Sequence, residues 1–139
     1  MSSDGALVVI GSGPGIGRAT AACFLEKGFK HVILLSRDKA RLAEDAEFVR
    51  SAASGAKVDT LQIDMSADES AVKKSLSGID DKLKAAGVLL EVVLYNAARV
   101  GPSKILEWDA NGLAEDLKVS RPQFPCSIRT FDFPLELMD

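Results

Sequence analysis

The sequence predicts an α/β fold in which a doubly wound parallel sheet carries helices on both faces. Short apolar runs rich in β-branched residues alternate along the chain with longer segments of helical periodicity. Glycines mark the boundaries of these segments, with Gly11 after the first strand and Gly28, Gly55 and Gly87 after the first three helices. Strands joined by helices pair in parallel through right-handed crossovers, so this alternation indicates the doubly wound arrangement.

Four strands and four helices are predicted in strict alternation. The predicted strands are residues 6–10, 31–35, 58–63 and 91–95. The predicted helices are residues 16–27, 39–53, 66–87 and 108–119. Asp38 is expected to cap the second helix, and the spacing of Ser66 and Glu69 matches a capping box at the start of the third. The apolar side of the first helix is predicted to consist of Ile16, Ala19, Cys23 and Phe24.

Composition and charge exclude several classes of protein. Of the 139 residues, 47% are hydrophobic and 27% are charged, which is the balance of one globular domain. The net charge of -3 provides no basic surface for a nucleic acid or an anionic membrane. No apolar run approaches the ~20 residues of a membrane span, and the first residues lack the pattern of a signal peptide. We therefore expect a cytoplasmic protein with neither a nucleic acid nor a membrane as its partner.

The cysteines and the histidine form no metal-binding or disulfide pattern. Cys23 and Cys126 are far apart in the sequence, no CxxC is present, and His31 is the single histidine. We therefore expect no metal site, and Cys23 is expected to be a small core residue of the first helix.

The composition and the periodicity of the sequence change after residue 120. Residues 121–139 contain three of the five prolines and three of the six phenylalanines, without helical period or strand alternation. The sequence therefore predicts a cofactor-binding half-domain over residues 1–120 and an atypical proline-rich tail over residues 121–139.

A glycine-rich loop connects the first strand to the first helix. Its candidate ligand-binding residues are Gly11, Ser12, Gly13, Gly15, Ile16 and Gly17. Glycines permit unusual backbone angles and let a phosphate approach the helix N-terminus, where free N–H groups and the helix dipole favour an anion. Because a strand precedes the loop and a helix follows it, the pattern favours dinucleotide binding over a purely structural turn.

Four segments, in order, resemble the short-chain dehydrogenase/reductase family. The loop spacing is similar to the family's TGxxxGxG element. Asp64, followed by Met65, stands where the family has an aspartate that hydrogen-bonds the adenine ring, and Asn96-Ala97 resembles part of its NNAG element. Residues 113–120 resemble its fourth-helix segment. The resemblance implies a Rossmann-type sheet, incomplete here, with four strands in the order 3-2-1-4, and a nicotinamide cofactor bound by these segments.

The end of the second strand predicts which nicotinamide cofactor binds. An acidic residue at this position would bind the ribose 2′-hydroxyl of NAD, but this chain has Ser36-Arg37. A serine leaves room for a 2′-phosphate, and a guanidinium can form charge-assisted hydrogen bonds with it. We therefore expect NADP(H). In the alternative interpretation Arg37 is a solvated loop residue and Asp38 only caps a helix.

The resemblance also implies catalytic residues that this sequence lacks. Family members use a serine, a Tyr-x-x-x-Lys pair and an asparagine on the fourth helix, where this chain has Ser120. Tyr95 is the single tyrosine, and Arg99 in its Tyr-Asn-Ala-Ala-Arg segment has too high a pKa for the role of the lysine. We therefore assign no catalytic residue and expect a truncated form of such an enzyme.

The sequence thus predicts an NADP(H)-dependent oxidoreductase of the short-chain dehydrogenase/reductase type, with this chain carrying the cofactor-binding half. The implied substrate is a small carbonyl compound or alcohol, and a homo-oligomer is possible because family members commonly form one. A non-catalytic NADP(H)-binding or interaction module remains the alternative.

Overall fold

The structure is a computed structural model that describes residues 5–99 and 110–120. Its strands are β1 (Gly5–Ile10), β2 (His31–Ser36), β3 (Lys57–Gln62) and β4 (Leu89–Tyr95). Its helices are α1 (Ile16–Glu26), α2 (Lys39–Arg50), α3 (Glu69–Ala86) and α4 (Ala110–Ser120). The start predicted for the fourth helix, at residues 108 and 109, and the tail predicted over residues 121–139 lie outside the described residues.

The four strands form one parallel sheet in the order β3-β2-β1-β4. This confirms the predicted fold class and the strand order that the family resemblance implied. β1 and β2 occupy the centre of the sheet, and every residue of β1 is buried. These two strands read as continuous apolar runs because both of their faces are covered.

Side chains alternate between the two faces of the sheet and so divide the core into two clusters. One cluster joins α1 and α2 to the sheet through Leu7, Val9, Ala21, Leu25, Phe29, Val32, Leu34, Leu42, Ala46, Val49 and Val58. The other joins α3 to the opposite face through Ala6, Val8, Ile10, Ile33, Leu35, Ile63, Met65, Val72, Ile79 and Leu83. The sheet is therefore covered by helices on both faces, as the doubly wound arrangement requires.

The apolar side predicted for α1 is wrong. The residues that α1 buries are Gly17, Ala21, Ala22 and Leu25. Cys23 is exposed, Ile16 is 66% exposed, and Phe24 is partly buried against Phe29. Because α1 contains several alanines, more than one of its sides is apolar, and the periodicity does not single out the buried one. The side that is buried carries the small residues Gly17 and Ala21, which are spaced four apart.

The predicted start of α3 is also wrong. The helix begins at Glu69, and its N-cap is Asp68, whose carboxylate accepts a hydrogen bond of 3.0 Å from the backbone N–H of Ala71. The hydroxyl and the backbone N–H of Ser66 donate instead to the carboxylate of Asp64. An aspartate is as good an N-cap as a serine, so Ser66 and Asp68 are both acceptable caps. The hydrogen bonds of Ser66 to Asp64 leave Asp68 as the residue that caps the helix. The caps predicted at Asp38 and Gly87 are confirmed.

β4 forms one edge of the described sheet and pairs with β1 alone among the described strands. Its residues alternate between exposed and half-buried, and Leu89 is 81% exposed. At the end of the strand the Tyr95 hydroxyl donates a hydrogen bond to the backbone oxygen of Val119, which links β4 to α4. Among the helices in the described ranges, none is long and apolar enough to cross a bilayer.

Candidate functional site

The carboxyl ends of the four strands bring the predicted site residues to one edge of the sheet. β1 leads into the glycine loop, β2 into Arg37, β3 into Asp64 and β4 into Asn96. The chain runs from β1 to β2 and β3 in one direction and then returns to the other side of β1 for β4. Open α/β sheets bind ligands in the crevice that such a reversal creates, so the candidate site lies between the ends of β1 and β4.

Gly11 lies directly against the end of β4. Its φ is +96°, and a Cβ placed on it would lie 2.4 Å from the backbone N of Ala97 and 2.6 Å from the carbonyl carbon of Asn96. The backbone N–H of Asn96 donates to the oxygen of Ile10 at 2.7 Å, and its side-chain amide donates to the oxygen of Gly11 at 3.2 Å. The loop is therefore in direct contact with the predicted Asn96-Ala97 segment. This contact is possible because the residue at position 11 has no side chain.

The other glycines of the loop differ in their surroundings. A Cβ on Gly17 would lie 2.8 Å from the oxygen of Gly11, so the tight turn of the loop onto α1 requires this glycine. A Cβ on Gly13 or on Gly15 would meet no atom within 4 Å. Packing within the described residues therefore does not require a glycine at position 13 or 15.

The bare side of the loop adjoins the N-terminus of α1. Gly15 is the N-cap of the helix, no side chain caps it, and Ile16 at its first position is largely exposed. The first N–H groups of a helix lack partners within the helix and attract anions together with the helix dipole. Open space beside Gly13 and Gly15 thus fits a pyrophosphate, and the loop can hold the phosphates of a dinucleotide.

Ser12 is directed into the fold. It is 7% exposed, its backbone N–H and that of Gly11 both donate to the oxygen of Leu35 at 2.9 Å, and its hydroxyl donates to Asp45 at 2.8 Å. Sequence reasoning missed Asp45, which is 1% exposed on α2. The available signal was its place in the helix, since Asp45 lies beside Ala46 in the buried stripe that begins at Leu42.

Arg37 and Asp64 lie near each other at the ends of β2 and β3. The hydroxyl of Ser66 donates to Asp64, and together with the Ser66 backbone N–H and the nearby charge of Arg37 it lowers the pKa of the Asp64 carboxyl, although burial opposes the change. Arg37 is exposed, and its backbone oxygen accepts a hydrogen bond from Gln62 at 2.8 Å. Ser36 is half-buried and Met65 is buried. The exposed guanidinium of Arg37 at this edge is thus available to an anionic group of a ligand.

Tyr95 and Arg99 have structural partners. Burial raises the pKa of Tyr95, and its hydroxyl donates to the oxygen of Val119 on α4. Arg99 forms ion pairs with Glu115 at 2.9 Å and with Asp116 at 3.6 Å. The described contacts of both side chains thus link the end of β4 to α4.

The fold and this edge of the sheet define a Rossmann-like α/β protein with a glycine-rich loop before its first helix. Residues 6–119 match the family model described as short chain dehydrogenase. Because the match covers most of the sequence, the chain belongs to the short-chain dehydrogenase family.

One protein sequence and two solved structures illustrate what the chain is similar to. The chain is 33% identical over 96 residues to a WW domain-containing oxidoreductase of Danio rerio, a match that covers 69% of this chain and 22% of that protein. A short-chain dehydrogenase from Sphingobium yanoikuyae, solved in complex with NADPH, superposes with a TM-score of 0.64 at 23% identity and covers 84% of this chain and 43% of that one. An NAD+-bound xylitol dehydrogenase superposes with a TM-score of 0.69 at 22% identity, with 85% and 43% covered. The chain spans about a fifth of the first relative and less than half of these two structures.

Proposed function

We propose that this chain is the cofactor-binding half of an NADP(H)-dependent oxidoreductase of the short-chain dehydrogenase type, whose substrate is a small carbonyl compound or alcohol. The observation that carries the proposal is the open space beside Gly13 and Gly15 at the N-terminus of α1. The family binds nicotinamide cofactors, and both an NADPH complex and an NAD+ complex occur among the structural neighbours. The choice of NADP(H) therefore rests on this chain's own residues.

The chain's residues have separate roles in this proposal. The pyrophosphate would lie on the loop from Gly13 to Gly17, and the exposed guanidinium of Arg37 would bind the 2′-phosphate, with Ser36 leaving room for it. Asp64 and Met65 would hold the adenine. When bound, the nicotinamide supplies hydride transfer to or from a substrate carbon.

The β4 side of the crevice completes the proposed site. Asn96 and Ala97 hold the end of β1 and would border the cofactor opposite Arg37. No residue of this chain is assigned a catalytic role. The cytoplasmic location and the homo-oligomer expected from the sequence also stay predictions.

Titration calorimetry of the purified chain with NADPH and with NADH tests the proposal. We expect NADPH to bind at least about tenfold more tightly, because one charge-assisted interaction with a phosphate contributes about 1.4 kcal/mol or more. Adenosine 2′,5′-bisphosphate should compete for the same site, whereas adenosine 5′-monophosphate should compete weakly. Tighter binding of NADH would overturn the cofactor assignment, and no binding of either dinucleotide would overturn the proposed function.

A further inference from the structure

A carboxyl group is buried where the glycine loop, α1 and α2 meet. Asp45 is 1% exposed, and its Oδ2 accepts the hydrogen bond from the Ser12 hydroxyl. Its Oδ1 lies 3.6 Å from Nη1 of Arg18 and has no hydrogen-bond partner among the described residues. A buried carboxyl group with so few partners costs stability relative to an apolar residue of similar volume. Packing of α2 alone therefore gives no reason for an aspartate at this position.

The two groups that Asp45 contacts lie on either side of the bare part of the loop. Ser12 precedes Gly13 in the sequence, and Arg18 follows Gly17. The Arg18 guanidinium also lies 4.6 Å from the centroid of the Phe48 ring, one helical turn along α2 from Asp45. One residue of α2 thus fastens both ends of the segment that carries the open glycines.

We propose that Asp45 is a positioning residue of the dinucleotide site. By holding Ser12 and Arg18 it sets the distance and orientation of the backbone N–H groups between them, which would bind the pyrophosphate. A binding site whose donors are already in place loses less conformational entropy when its ligand binds. This inference rests on the proposed function, and it goes beyond it by assigning a role to a residue that no ligand would touch.

The proposal separates Asp45 from Arg37. The pyrophosphate is common to NADPH and NADH, so a change at Asp45 should weaken the binding of both dinucleotides by the same factor. Arg37 would contact only the 2′-phosphate, so a change there should weaken the binding of NADPH alone. The ratio of the two affinities therefore distinguishes positioning of the loop from recognition of the 2′-phosphate.

The test uses two variants and one control. Asp45→Asn removes the charge that faces Arg18, and Ser12→Ala removes the hydroxyl while leaving Asp45 in place. Glu47→Gln is the matched control, because Glu47 is an exposed acid on the same helix that pairs with Arg50. Calorimetry should show about a tenfold loss of affinity for both NADPH and NADH in the first two variants, because each removes one of the two contacts of Asp45, and none in the control.

Three outcomes would overturn the proposal. Unchanged affinities together with a lower melting temperature would show that Asp45 serves stability alone. Loss of NADPH binding with retained NADH binding would place Asp45 in recognition of the 2′-phosphate. The third outcome comes from amide hydrogen exchange measured without any cofactor. Asp45→Asn should speed exchange between Gly11 and Arg18 more than exchange within α3. Equal acceleration in the two segments would contradict the proposal.

The exchange measurement also keeps the two proposals apart. If the unsubstituted chain binds neither dinucleotide, the proposed function fails and with it the cofactor role of Asp45. Exchange that is still faster selectively in the loop would then support the part of the proposal that concerns loop geometry. If the unsubstituted chain binds NADPH but the variants bind it equally well, the inference about Asp45 fails and the proposed function stands.

Discussion

Gly11 and Ala97 are 86 positions apart in the sequence, yet a methyl group on Gly11 would lie 2.4 Å from the backbone N of Ala97. The contact joins the ends of β1 and β4, and the Asn96 side-chain amide reinforces it with a hydrogen bond to the Gly11 oxygen. The backbones of Gly11 and Ala97 are thus in contact at the base of the crevice between these strands. A residue that looks like a cofactor contact in the sequence is therefore also a requirement of the fold.

Gly11→Ala should destabilise the chain by about 3 kcal/mol. The φ of +96° would strain an alanine, and its methyl group would meet backbone atoms that cannot move aside without shifting β4. Urea unfolding followed by circular dichroism measures the change. Gly28→Ala is the matched control, because Gly28 has a φ of +103° with nothing near its Cβ position. A loss at Gly11 no larger than that at Gly28 would contradict the importance of the backbone contact.

Gly13→Ala should have the opposite profile, with stability unchanged within about 1 kcal/mol and cofactor binding weakened. A Cβ at Gly13 meets no atom within 4 Å, and a Gly→Ala change without strain lowers the entropy of the unfolded chain. The methyl group would instead occupy space that we assign to the pyrophosphate. Thermal unfolding and NADPH titration of one protein sample measure both effects. Retained NADPH affinity would show that the pyrophosphate does not approach this side of the loop.

Arg37→Ala should weaken the binding of NADPH by about tenfold and leave NADH binding unchanged, because the guanidinium would contact only the 2′-phosphate. The change should depend on ionic strength, since an exposed charge pair is screened by salt. Arg41→Ala is the matched control, because Arg41 is exposed on the first turn of α2. Equal losses for both dinucleotides, or equal effects of the two arginines, would remove Arg37 from the site.

The stabilising contribution of Asp59 should be lost in acid. Burial by itself would raise the pKa of Asp59, but the hydrogen bond of 2.9 Å from His31 and the charges of Lys82 and Lys57 outweigh burial and lower the pKa from its ordinary value. A carboxyl whose pKa is lower in the folded than in the unfolded chain stabilises the fold above the unfolded pKa. This contribution is lost as the pH falls through the folded pKa.

Asp59→Asn should therefore lower stability near neutral pH and flatten its decline below about pH 4. Urea midpoints measured from pH 7 to pH 3 give both effects, with Asp80→Asn on the exposed side of α3 as the control. Parallel curves for Asp59→Asn and the unsubstituted chain would show that the contacts of Asp59 contribute nothing to acid sensitivity.

The sequence by itself determined the order of the elements and the position of the glycine loop. These depend on neighbouring residues, through the period of the apolar positions, the glycines at the ends of helices and the aspartate that caps α2. The resemblance to a known family added the strand order, which the structure confirms. The start of α3 was not determined by the sequence, because Ser66 and Asp68 are both acceptable caps and local preference does not distinguish them.

Only the tertiary structure decided which face of α1 is buried and what each glycine does. Gly11 and Gly13 stand two positions apart in the same glycine-rich loop, but one lies against Ala97 and the other beside open space. Asp45 looks like one more charged residue of a surface helix until the fold brings it to Ser12, 33 positions earlier in the chain. Such contacts join residues that are distant in sequence, and no local periodicity encodes the distance between them. They arise only when packing of the helices on the sheet sets which side chains meet.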